Sequence, residues 1–280
     1  MNHETHTTKT RHVVISGGAS GLGLGMALRY LKRGDCVSVL DLCLSEEARK
    51  QLEIAAAVGS AQWCFQEADV TDDQIMSDAM RKAQKQFGNV SLAINSAGIP
   101  LCKTIADMRP DEFNHVINVN LIGSYNFAAT VVPHLEQGGH LALVASLAGI
   151  TSNYGYSAYG SSKFGVLGLA TTLRYEYELQ GFKVSCICPP EVFTPLVEAE
   201  RLHANPIAME LKKIAGTMHV VDAGDEIVEG LDQQRWLIIP SINGKLTAWV
   251  ARYTPGLFHS FLSYMIRRTS NRIKNAPQSG

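Results

Sequence analysis

The sequence predicts an α/β fold in which helices cover both faces of a parallel sheet. Short apolar runs alternate with helical stretches along almost the whole chain. Each apolar run is nearly continuous, as expected for a strand buried on both faces. The 280 residues, 46% apolar and 18% charged, are enough to bury a large core. This alternation is typical of a doubly wound parallel sheet.

The predicted elements follow one another in strand–helix order. Seven runs are predicted strands: His12–Ser16, Cys36–Asp41, Gln62–Phe65, Leu92–Asn95, His140–Ala145, Val184–Cys188 and Trp236–Ile239. Five stretches are predicted helices: Leu22–Arg33, Asp72–Phe87, Asp111–Val132, Ser157–Gln180 and Ala223–Leu231. No internal repeat or linker interrupts them. We therefore predict one main domain over residues 1–240 and a helical appendage over residues 241–280.

Charge and cysteine content exclude several classes of function. The net charge of -1 gives no reason to expect nucleic-acid binding. The six cysteines form no C-x-x-C pair, so we expect reduced thiols packed in the interior and no metal site. The first eleven residues lack the apolar core of a secretory signal, and no apolar run approaches the ~20 residues of a membrane span. We expect a cytoplasmic protein.

A glycine-rich loop joins the first strand to the first helix. Gly17, Gly21 and Gly23 follow a G-x-x-x-G-x-G pattern, with Ser20 and Leu22 between them. Such a loop lets backbone N–H groups approach a pyrophosphate at the helix N-terminus. On its own the pattern is equally typical of an ordinary tight turn.

Asp41 ends the second strand, 18 residues after Gly23. A carboxylate at this place can accept hydrogen bonds from the ribose hydroxyls of an adenine nucleotide, and it repels a 2′-phosphate. No Arg or Lys lies in the glycine loop or directly after Asp41 to attract that phosphate. The pattern favours NAD over NADP. The alternative is that Asp41 merely caps the following helix.

Two further strand ends carry residues suited to a nucleotide. Asp69 and Val70 follow the third strand, and Asn95-Ser96-Ala97-Gly98 follows the fourth. Small residues such as Ala97 and Gly98 let a cofactor pass close to the backbone. Either segment could equally be a plain strand-to-helix turn.

Tyr159 and Lys163 lie one turn apart near the start of a predicted helix, so they share one face. A phenol titrates near 10 and is a poor proton acceptor at pH 7. A neighbouring ammonium favours the phenolate and lowers that pKa toward useful acid–base chemistry. Ser146 follows the fifth strand at the sheet edge where open α/β sheets bind ligands, and Asn120 lies on the preceding helix.

Together these motifs resemble a short-chain dehydrogenase/reductase of the one-domain kind over roughly residues 11–240. The resemblance implies a Rossmann-type sheet and transfer of hydride between a nicotinamide and a secondary alcohol or ketone. Tyr159 would exchange the substrate proton, Lys163 would hold the nicotinamide ribose, and Ser146 would bind the substrate oxygen. Asn120 would hold a water that links Lys163 to solvent. The family commonly forms homodimers or homotetramers through the two long helices.

The loop after the sixth strand departs from the family pattern. Where the family has P-G-x-x-x-T, this chain has Pro189-Pro190-Glu191-Val192-Phe193-Thr194-Pro195. Pro189, Val192 and Thr194 keep the positions expected to contact the nicotinamide, whereas Pro190 stiffens the loop. This form is similar to that of 3-ketodihydrosphingosine reductases, which reduce a long-chain ketone with NADPH. The likeness is a hint toward lipid metabolism, although Asp41 argues against NADPH.

Two segments are expected to set substrate specificity: residues 149–156 and residues 194–218. Their apolar and aromatic side chains predict a pocket for a small apolar alcohol or ketone, lipid-like or steroid-like: Ile150, Tyr154, Tyr156, Phe193, Leu196 and Val197. The alternative is that some of these six residues are ordinary core or surface residues with no role in substrate binding.

The appendage is basic and amphipathic. From residue 243 onward there are six Lys or Arg and no Asp or Glu. One apolar stripe comprises Leu246, Trp249, Val250 and Tyr253, and a second comprises Leu257, Phe258, Phe261, Leu262, Met265 and Ile266. Residues 244–274 therefore suit either peripheral contact with an anionic membrane or packing on protein.

Three functions remain open at this point. The first is an NAD(H)-dependent alcohol dehydrogenase or ketoreductase for an apolar substrate. The second is an NADP(H)-dependent long-chain ketone reductase of the 3-ketosphinganine type. The third is a non-catalytic nucleotide-sensing or scaffold protein, against which the joint presence of Asn120, Ser146, Tyr159 and Lys163 argues.

Overall fold

Seven strands form one parallel sheet. The computed structural model describes residues 10–194, 197–198 and 205–275. The strands of this sheet are β1 (His12–Ser16), β2 (Cys36–Asp41), β3 (Trp63–Glu67), β4 (Val90–Asn95), β5 (Leu135–Val144), β6 (Lys183–Ile187) and β9 (Leu237–Ile238). They lie in the order β3-β2-β1-β4-β5-β6-β9, and every neighbouring pair is parallel. The predicted doubly wound parallel sheet is confirmed.

Helices cover both faces of this sheet. They are α1 (Gly21–Lys32), α2 (Glu46–Gly59), α3 (Asp73–Phe87), α4 (Pro110–Ile117), α5 (Gly123–Val131), α6 (Ala148–Thr151), α7 (Ser157–Glu178), α8 (Pro206–Ala215), α9 (Val220–Asp232), α10 (Ile242–Tyr253) and α11 (Pro255–Lys274). The five predicted helices correspond to α1, α3, the α4–α5 stretch, α7 and α9. Helices α2, α6 and α8 are additional to that prediction.

The nearly continuous apolar runs are explained by two cores, one on each face. Along β1, Val13 and Ile15 pack with α1, α2 and α9, whereas Val14 packs with α3, α5 and α7. Because successive strand residues point to opposite faces, a strand covered on both sides must be apolar throughout. The chain leaves β1 toward one face and β4 toward the other. This reversal places a ligand crevice beyond the carboxyl ends of these two strands.

The predicted long helix Asp111–Val132 is interrupted. Helix α4 runs into a π-helical turn, Asn118–Ile122, and then into α5, and Val132–His134 forms a final 3₁₀ turn. The 3₁₀ turn contains Pro133, which cannot continue an α-helix. A π-helical turn widens the helix locally and is frequent at functional sites. Asn120 lies in this turn and is fully buried.

Two small elements follow β6. Strands β7 (Glu191–Phe193) and β8 (Thr217–His219) pair in parallel as a separate sheet. Helices α10 and α11 pack against each other and against α8, and α10 also contacts α6. In the part of the chain that the structure describes, every helix is too short or too polar to cross a bilayer.

Candidate active site

One cavity of about 840 Å³ lies at the carboxyl edge of the sheet. Its lining includes most of the residues that the sequence indicates for cofactor or catalysis: Gly17, Ser20, Gly21, Leu22, Asp41, Asp69, Val70, Ala97, Gly98, Ser146, Tyr159, Lys163, Pro189, Val192 and Thr194. Gly23, Asn95 and Asn120 lie outside this lining. Gly23 packs inside the glycine loop, and the side chains of Asn95 and Asn120 form hydrogen bonds in the protein interior.

The glycine loop has a shape that only glycine permits. Gly17 and Gly21 have φ of +64° and +50°, a region that favours glycine. A Cβ on Gly17 would lie 2.6 Å from the Ala97 backbone N, and one on Gly23 would lie 2.0 Å from the Gly17 carbonyl O. A side chain at Gly23 would therefore collide with the backbone at the start of the loop.

The first turn of α1 is suited to an anion. Ser20 makes no side-chain capping bond there, and the turn contains no acidic residue. The backbone N–H groups of a helix N-terminus are a ready anion site because the helix dipole favours negative charge. The loop and this turn therefore fit a dinucleotide pyrophosphate.

Asp41 is held against the same loop. Its carboxylate accepts hydrogen bonds from Ala19 N at 2.9 Å and from Leu42 N at 2.8 Å. Helix α2 is capped by Ser45, whose hydroxyl accepts from Ala48 N, so Asp41 is not its cap. The carboxylate lies on the cavity wall beside the loop, where ribose hydroxyls of a nucleotide could donate to it.

Asn95 belongs to a buried polar network. Ser16 Oγ donates to Asn95 Oδ1, and Asn95 Nδ2 donates to Ser124 Oγ at 2.8 Å. Ser124 Oγ in turn donates to the Asn120 carbonyl O at 2.6 Å. A fully paired buried network of this kind rigidifies its surroundings. It ties the ends of β1 and β4 to the π-helical turn.

The Asn120 side chain is fixed by three hydrogen bonds. Its Oδ1 accepts from Ile99 N at 2.8 Å, and its Nδ2 donates to Ile99 O at 3.0 Å and to Ser162 Oγ at 2.9 Å. A Cβ on Gly98 would lie 3.1 Å from Asn120 Oδ1 and 3.3 Å from Lys163 Nζ. Gly98 therefore brings Asn120 and Lys163 together on one side of the cavity.

Lys163 is a buried cation beside Tyr159. Its Nζ donates to the Val144 carbonyl O at 3.0 Å and lies 5.7 Å from the centroid of the Tyr159 ring. Burial lowers the pKa of Lys163 to about 8 because the charged form is poorly solvated. At pH 7 the ammonium is still the main form. Its charge favours the Tyr159 phenolate.

Tyr159 and Ser146 complete the polar side of the cavity. The Tyr159 ring packs on Tyr156 with centroids 5.0 Å apart. Ser146 Oγ accepts from Ala148 N at 3.1 Å, which fixes the hydroxyl just beyond β5. Both side chains line the cavity that Lys163 lines. The arrangement can bind a carbonyl or hydroxyl oxygen and exchange its proton.

The predicted substrate residues are dispersed. Tyr156 and Val197 line the cavity, whereas Ile150 packs on the core and Phe193 is exposed on the small sheet. Tyr154 is outside the cavity lining. Leu196 lies outside the described residues.

Sequence reasoning missed a buried ion pair at the cavity wall. Lys212 Nζ lies 2.8 Å from Glu191 Oε1, and both side chains are less than a tenth exposed. Thr217 Oγ1 donates to Glu191 Oε2 at 2.9 Å, and Lys212 Nζ lies 5.4 Å above the Tyr156 ring. The pair ties α8 to the loop after β6. Glu191 could have been suspected from its place after Pro189-Pro190, whereas Lys212 carries no sequence signal.

Comparisons with known proteins agree with this geometry. The model of the short chain dehydrogenase family matches residues 11–205. A 3-dehydrosphinganine reductase of Arabidopsis thaliana (TSC10B) is 32% identical over 82% of this chain and 70% of the relative. A D-beta-hydroxybutyrate dehydrogenase of Rhizobium meliloti is 30% identical over 68% of this chain and 75% of the relative.

Solved structures show the same fold. Levodione reductase superposes with a TM-score of 0.74 at 26% identity, covering 84% of this chain and 96% of the other. A short chain dehydrogenase from Mycobacterium paratuberculosis bound to NAD gives a TM-score of 0.75 at 19% identity, covering 84% of this chain and 98% of the other. The chain belongs to the short-chain dehydrogenase/reductase family. It is an oxidoreductase that acts on CH–OH groups with a nicotinamide cofactor.

Proposed function

We propose that the protein transfers hydride between NAD(H) and a secondary alcohol or ketone on an apolar, lipid-like or steroid-like substrate. The observation that carries the proposal is the position of Tyr159 beside the buried Lys163, in the same cavity as the glycine loop and Asp41. The acid–base group, the cation and the loop suited to a nucleotide thus line the same cavity.

The dinucleotide would be held by the strand ends already described. The glycine loop and the first turn of α1 would bind its pyrophosphate, and Asp41 its adenosine ribose. Asp69, Val70, Ala97 and Gly98 would flank it, and Pro189, Val192 and Thr194 would contact the nicotinamide. The bound nicotinamide supplies the hydride chemistry, and the protein supplies position and proton.

The side chains of this protein would handle the proton and the substrate oxygen. Ser146 would hydrogen-bond the oxygen, and Tyr159 would donate a proton to it or remove one. The Lys163 ammonium would stabilise the phenolate and bind the nicotinamide ribose. Asn120 would act as a positioning residue that holds a water next to Lys163. Its bonds to Ile99 and Ser162 use both hydrogens of Nδ2 and one lone pair of Oδ1, so the water would donate to the second lone pair of Oδ1.

Asp41 supports the choice of NAD(H). A 2′-phosphate beside this carboxylate would meet a like charge without a compensating cation. The lysines that line the described part of the cavity are Lys163 and Lys212, and neither belongs to the glycine loop or to β2.

A second candidate is an NADP(H)-dependent reductase of long-chain ketones. It is favoured by the likeness to 3-dehydrosphinganine reductases and by the Pro189-Pro190-Glu191 loop. Equilibrium titration of protein fluorescence with NADH and with NADPH separates the two candidates. We expect NADH to bind at least tenfold more tightly, and tighter binding of NADPH would favour the second candidate.

The proposed chemistry is tested by the variant Tyr159→Phe, which removes one hydroxyl. We expect turnover of long-chain and steroid ketones with NADH to fall at least a hundredfold because general acid–base catalysis contributes about that much or more. The Kd for NADH should change less than twofold. An unchanged rate would refute the role of Tyr159. Wild-type protein that binds NADH but converts no ketone or alcohol would favour the non-catalytic function.

We also infer an oligomer formed through α4, α5 and α7. These helices and the π-helical turn between α4 and α5 expose large apolar side chains that a monomer would leave in water: Phe113, Ile122, Tyr125, Phe164 and Tyr175. Light scattering after size exclusion should give a homodimer or homotetramer. A charge on this surface, in Phe164→Glu, should shift the mass toward the monomer. A wild-type monomer would contradict the inference.

The described part of the appendage, residues 241–275, presents a surface suited to an anionic membrane. Residues 244–274 combine basic side chains with exposed apolar ones: Leu246, Trp249, Tyr253, Leu257, Phe261 and Tyr264. Aromatic side chains beside Lys and Arg are typical of helices that lie on a bilayer. We propose peripheral contact with anionic lipid through this surface.

Flotation with phosphatidylserine-containing vesicles tests the contact. The double variant Trp249→Ser, Phe261→Ser should float at least fivefold less than wild type. Leu179→Ser is a matched control because Leu179 is 94% exposed in the turn directly after α7, outside the appendage. Equal flotation of all three proteins would exclude this surface as the lipid contact.

A further inference from the structure

The cavity that contains Tyr159 extends to three helices near the C-terminus. Leu211 and Ile214 of α8, Thr247 of α10, and Phe258 and Leu262 of α11 line it together with Tyr159 and Lys163. Helices α10 and α11 lie beyond residue 205, where the match to the family model ends. These helices therefore form a wall of the cavity that lies outside the segment matched by the family model.

Helix α11 has one face toward the cavity and one away from it. Phe258 is 6% exposed and Leu262 is half-buried, whereas Leu257 is 72% exposed. Phe258 and Leu262 are four residues apart, so they form a continuous apolar strip along one side of the helix. Leu211 and Ile214 form a similar strip on α8, which packs against α11.

Helix α10 is fixed to the catalytic end of the cavity. Ser241 caps it by accepting from Gly244 N at 2.9 Å. Gly244 is buried, and a Cβ at this position would lie 3.7 Å from Pro190 Cδ. The helix that leads into α11 thus starts against the stiff Pro189-Pro190 loop. The start of the C-terminal wall therefore lies next to the loop that follows β6.

We propose that Leu211, Ile214, Phe258 and Leu262 bind the unbranched alkyl chain of the substrate while its oxygen lies at Tyr159 and Ser146. Two apolar strips, each one helical turn long and on helices that pack together, fit an extended chain better than a compact polar group. The proposal names the substrate class for the same cavity, so it rests on the proposed function.

A series of methyl ketones from 2-butanone to 2-dodecanone tests the proposal in the full-length protein with NADH. For wild type, kcat/KM should rise about fourfold per methylene once the chain reaches the wall. The variant Leu262→Trp fills the space between the strips. We expect its ratio of kcat/KM for 2-dodecanone over 2-butanone to fall at least tenfold.

Two further variants make the result interpretable. Leu257→Trp is the same substitution on the outer face of α11 and should keep the wild-type ratio. Leu262→Ala adds no bulk, so it should lower this ratio of kcat/KM only about fourfold, the effect of one methylene. Wild-type turnover of 2-butanone by Leu262→Ala would show that the active site is folded. A Leu262→Trp protein that loses activity on both ketones equally, or on neither, would overturn the proposal.

A binding measurement separates this proposal from the proposed function. Cis-parinaric acid fluoresces when its chain enters an apolar site, and it requires no turnover. Its Kd should rise at least tenfold in Leu262→Trp and stay unchanged in Leu257→Trp. Equal probe binding by all variants would refute the chain site. Weakened binding in Leu262→Trp, in a protein that converts no ketone, would keep the chain site and refute the reaction.

Discussion

The two halves of the cavity are built in different ways. The half around the glycine loop and Asp41 consists of strand ends and backbone groups that lie next to one another because parallel strands end at one edge. The other half consists of side chains from α8, α10 and α11, which meet only because three helices pack together. In the proposed function the first half would hold the cofactor and the second the substrate, so the two should respond to different substitutions.

Removal of the buried cation should give the largest effect. In Lys163→Met we expect kcat to fall at least a hundredfold because the Tyr159 phenolate loses its neighbouring charge. The free energy of unfolding at pH 7 should rise by up to about 3 kcal/mol, since the buried ammonium no longer has to be desolvated. Urea denaturation checks the second part. A variant both less active and less stable would contradict the account of Lys163.

The pH dependence of stability sharpens that prediction. The folded pKa of Lys163, about 8, lies below its ordinary value of 10.5. Between these values the unfolded chain holds more protons than the folded one, so wild-type stability should gain from this group as pH rises through the window. Lys163→Met should lack that gain. Parallel stability curves for the two proteins from pH 8 to pH 10.5 would show that burial does not shift this group.

A break in the ion pair should affect mainly the substrate half. Glu191→Gln leaves the Lys212 ammonium buried without its carboxylate partner. Such a change commonly lowers the free energy of unfolding by about 3–5 kcal/mol. We expect KM for long-chain ketones to rise at least tenfold. The Kd for NADH should rise less, because only the nicotinamide contact at the neighbouring Val192 is disturbed, while the glycine loop and Asp41 are unchanged. The control is Glu210→Gln, which removes the half-buried partner of the exposed Lys213 on the same helix. Equal loss of NADH binding would show that the halves are not separable.

A change to Asp41 should alter mainly the cofactor half. In Asp41→Ser the ratio of Kd values for NADPH and NADH should fall about tenfold because the repulsion of the 2′-phosphate is removed. Kinetics with a long-chain ketone should keep the wild-type chain-length preference. Glu67→Gln, at the end of the neighbouring strand and outside the cavity lining, is the matched control. An unaltered ratio would remove Asp41 from cofactor selection.

The smallest effect is expected at Gly98. A methyl group there would force Asn120 or Lys163 to move by a few tenths of an ångström. In Gly98→Ala we expect kcat to fall about threefold to tenfold, since small displacements of reacting groups are costly. Gly168→Ala is the control because a Cβ there meets no atom within 4 Å. Equal rates in both variants would mean that this contact does not position the catalytic groups.

The two halves of the cavity also differ in how far the sequence predicts them. The doubly wound parallel sheet and the cluster of Ser146, Tyr159 and Lys163 follow from local patterns, because motif residues next to strand ends meet at one sheet edge. Asn95 was expected at the cofactor, yet its side chain bonds to Ser16 and Ser124 inside the protein. Which way a strand-end side chain points depends on its neighbours in space.

The substrate half was harder to predict because its contacts join distant parts of the chain. Lys212 reaches Glu191 across 21 positions, and nothing near Lys212 in sequence marks it as buried. The apolar stripe expected around Trp249 is exposed, whereas Phe258 is buried in the cavity wall. Periodicity identified the helices α10 and α11 but could not show which face of each meets protein.

Transfer of deuterium to 2-dodecanone from NADH that carries deuterium at both positions of the nicotinamide C4 tests the central claim most directly. The account predicts that wild-type protein yields 2-dodecanol with one deuterium on the carbinol carbon. It also predicts that Tyr159→Phe, with an unchanged Kd for NADH, yields at least a hundredfold less in the same time. Product without deuterium on that carbon, or equal yields from the two proteins, would contradict it.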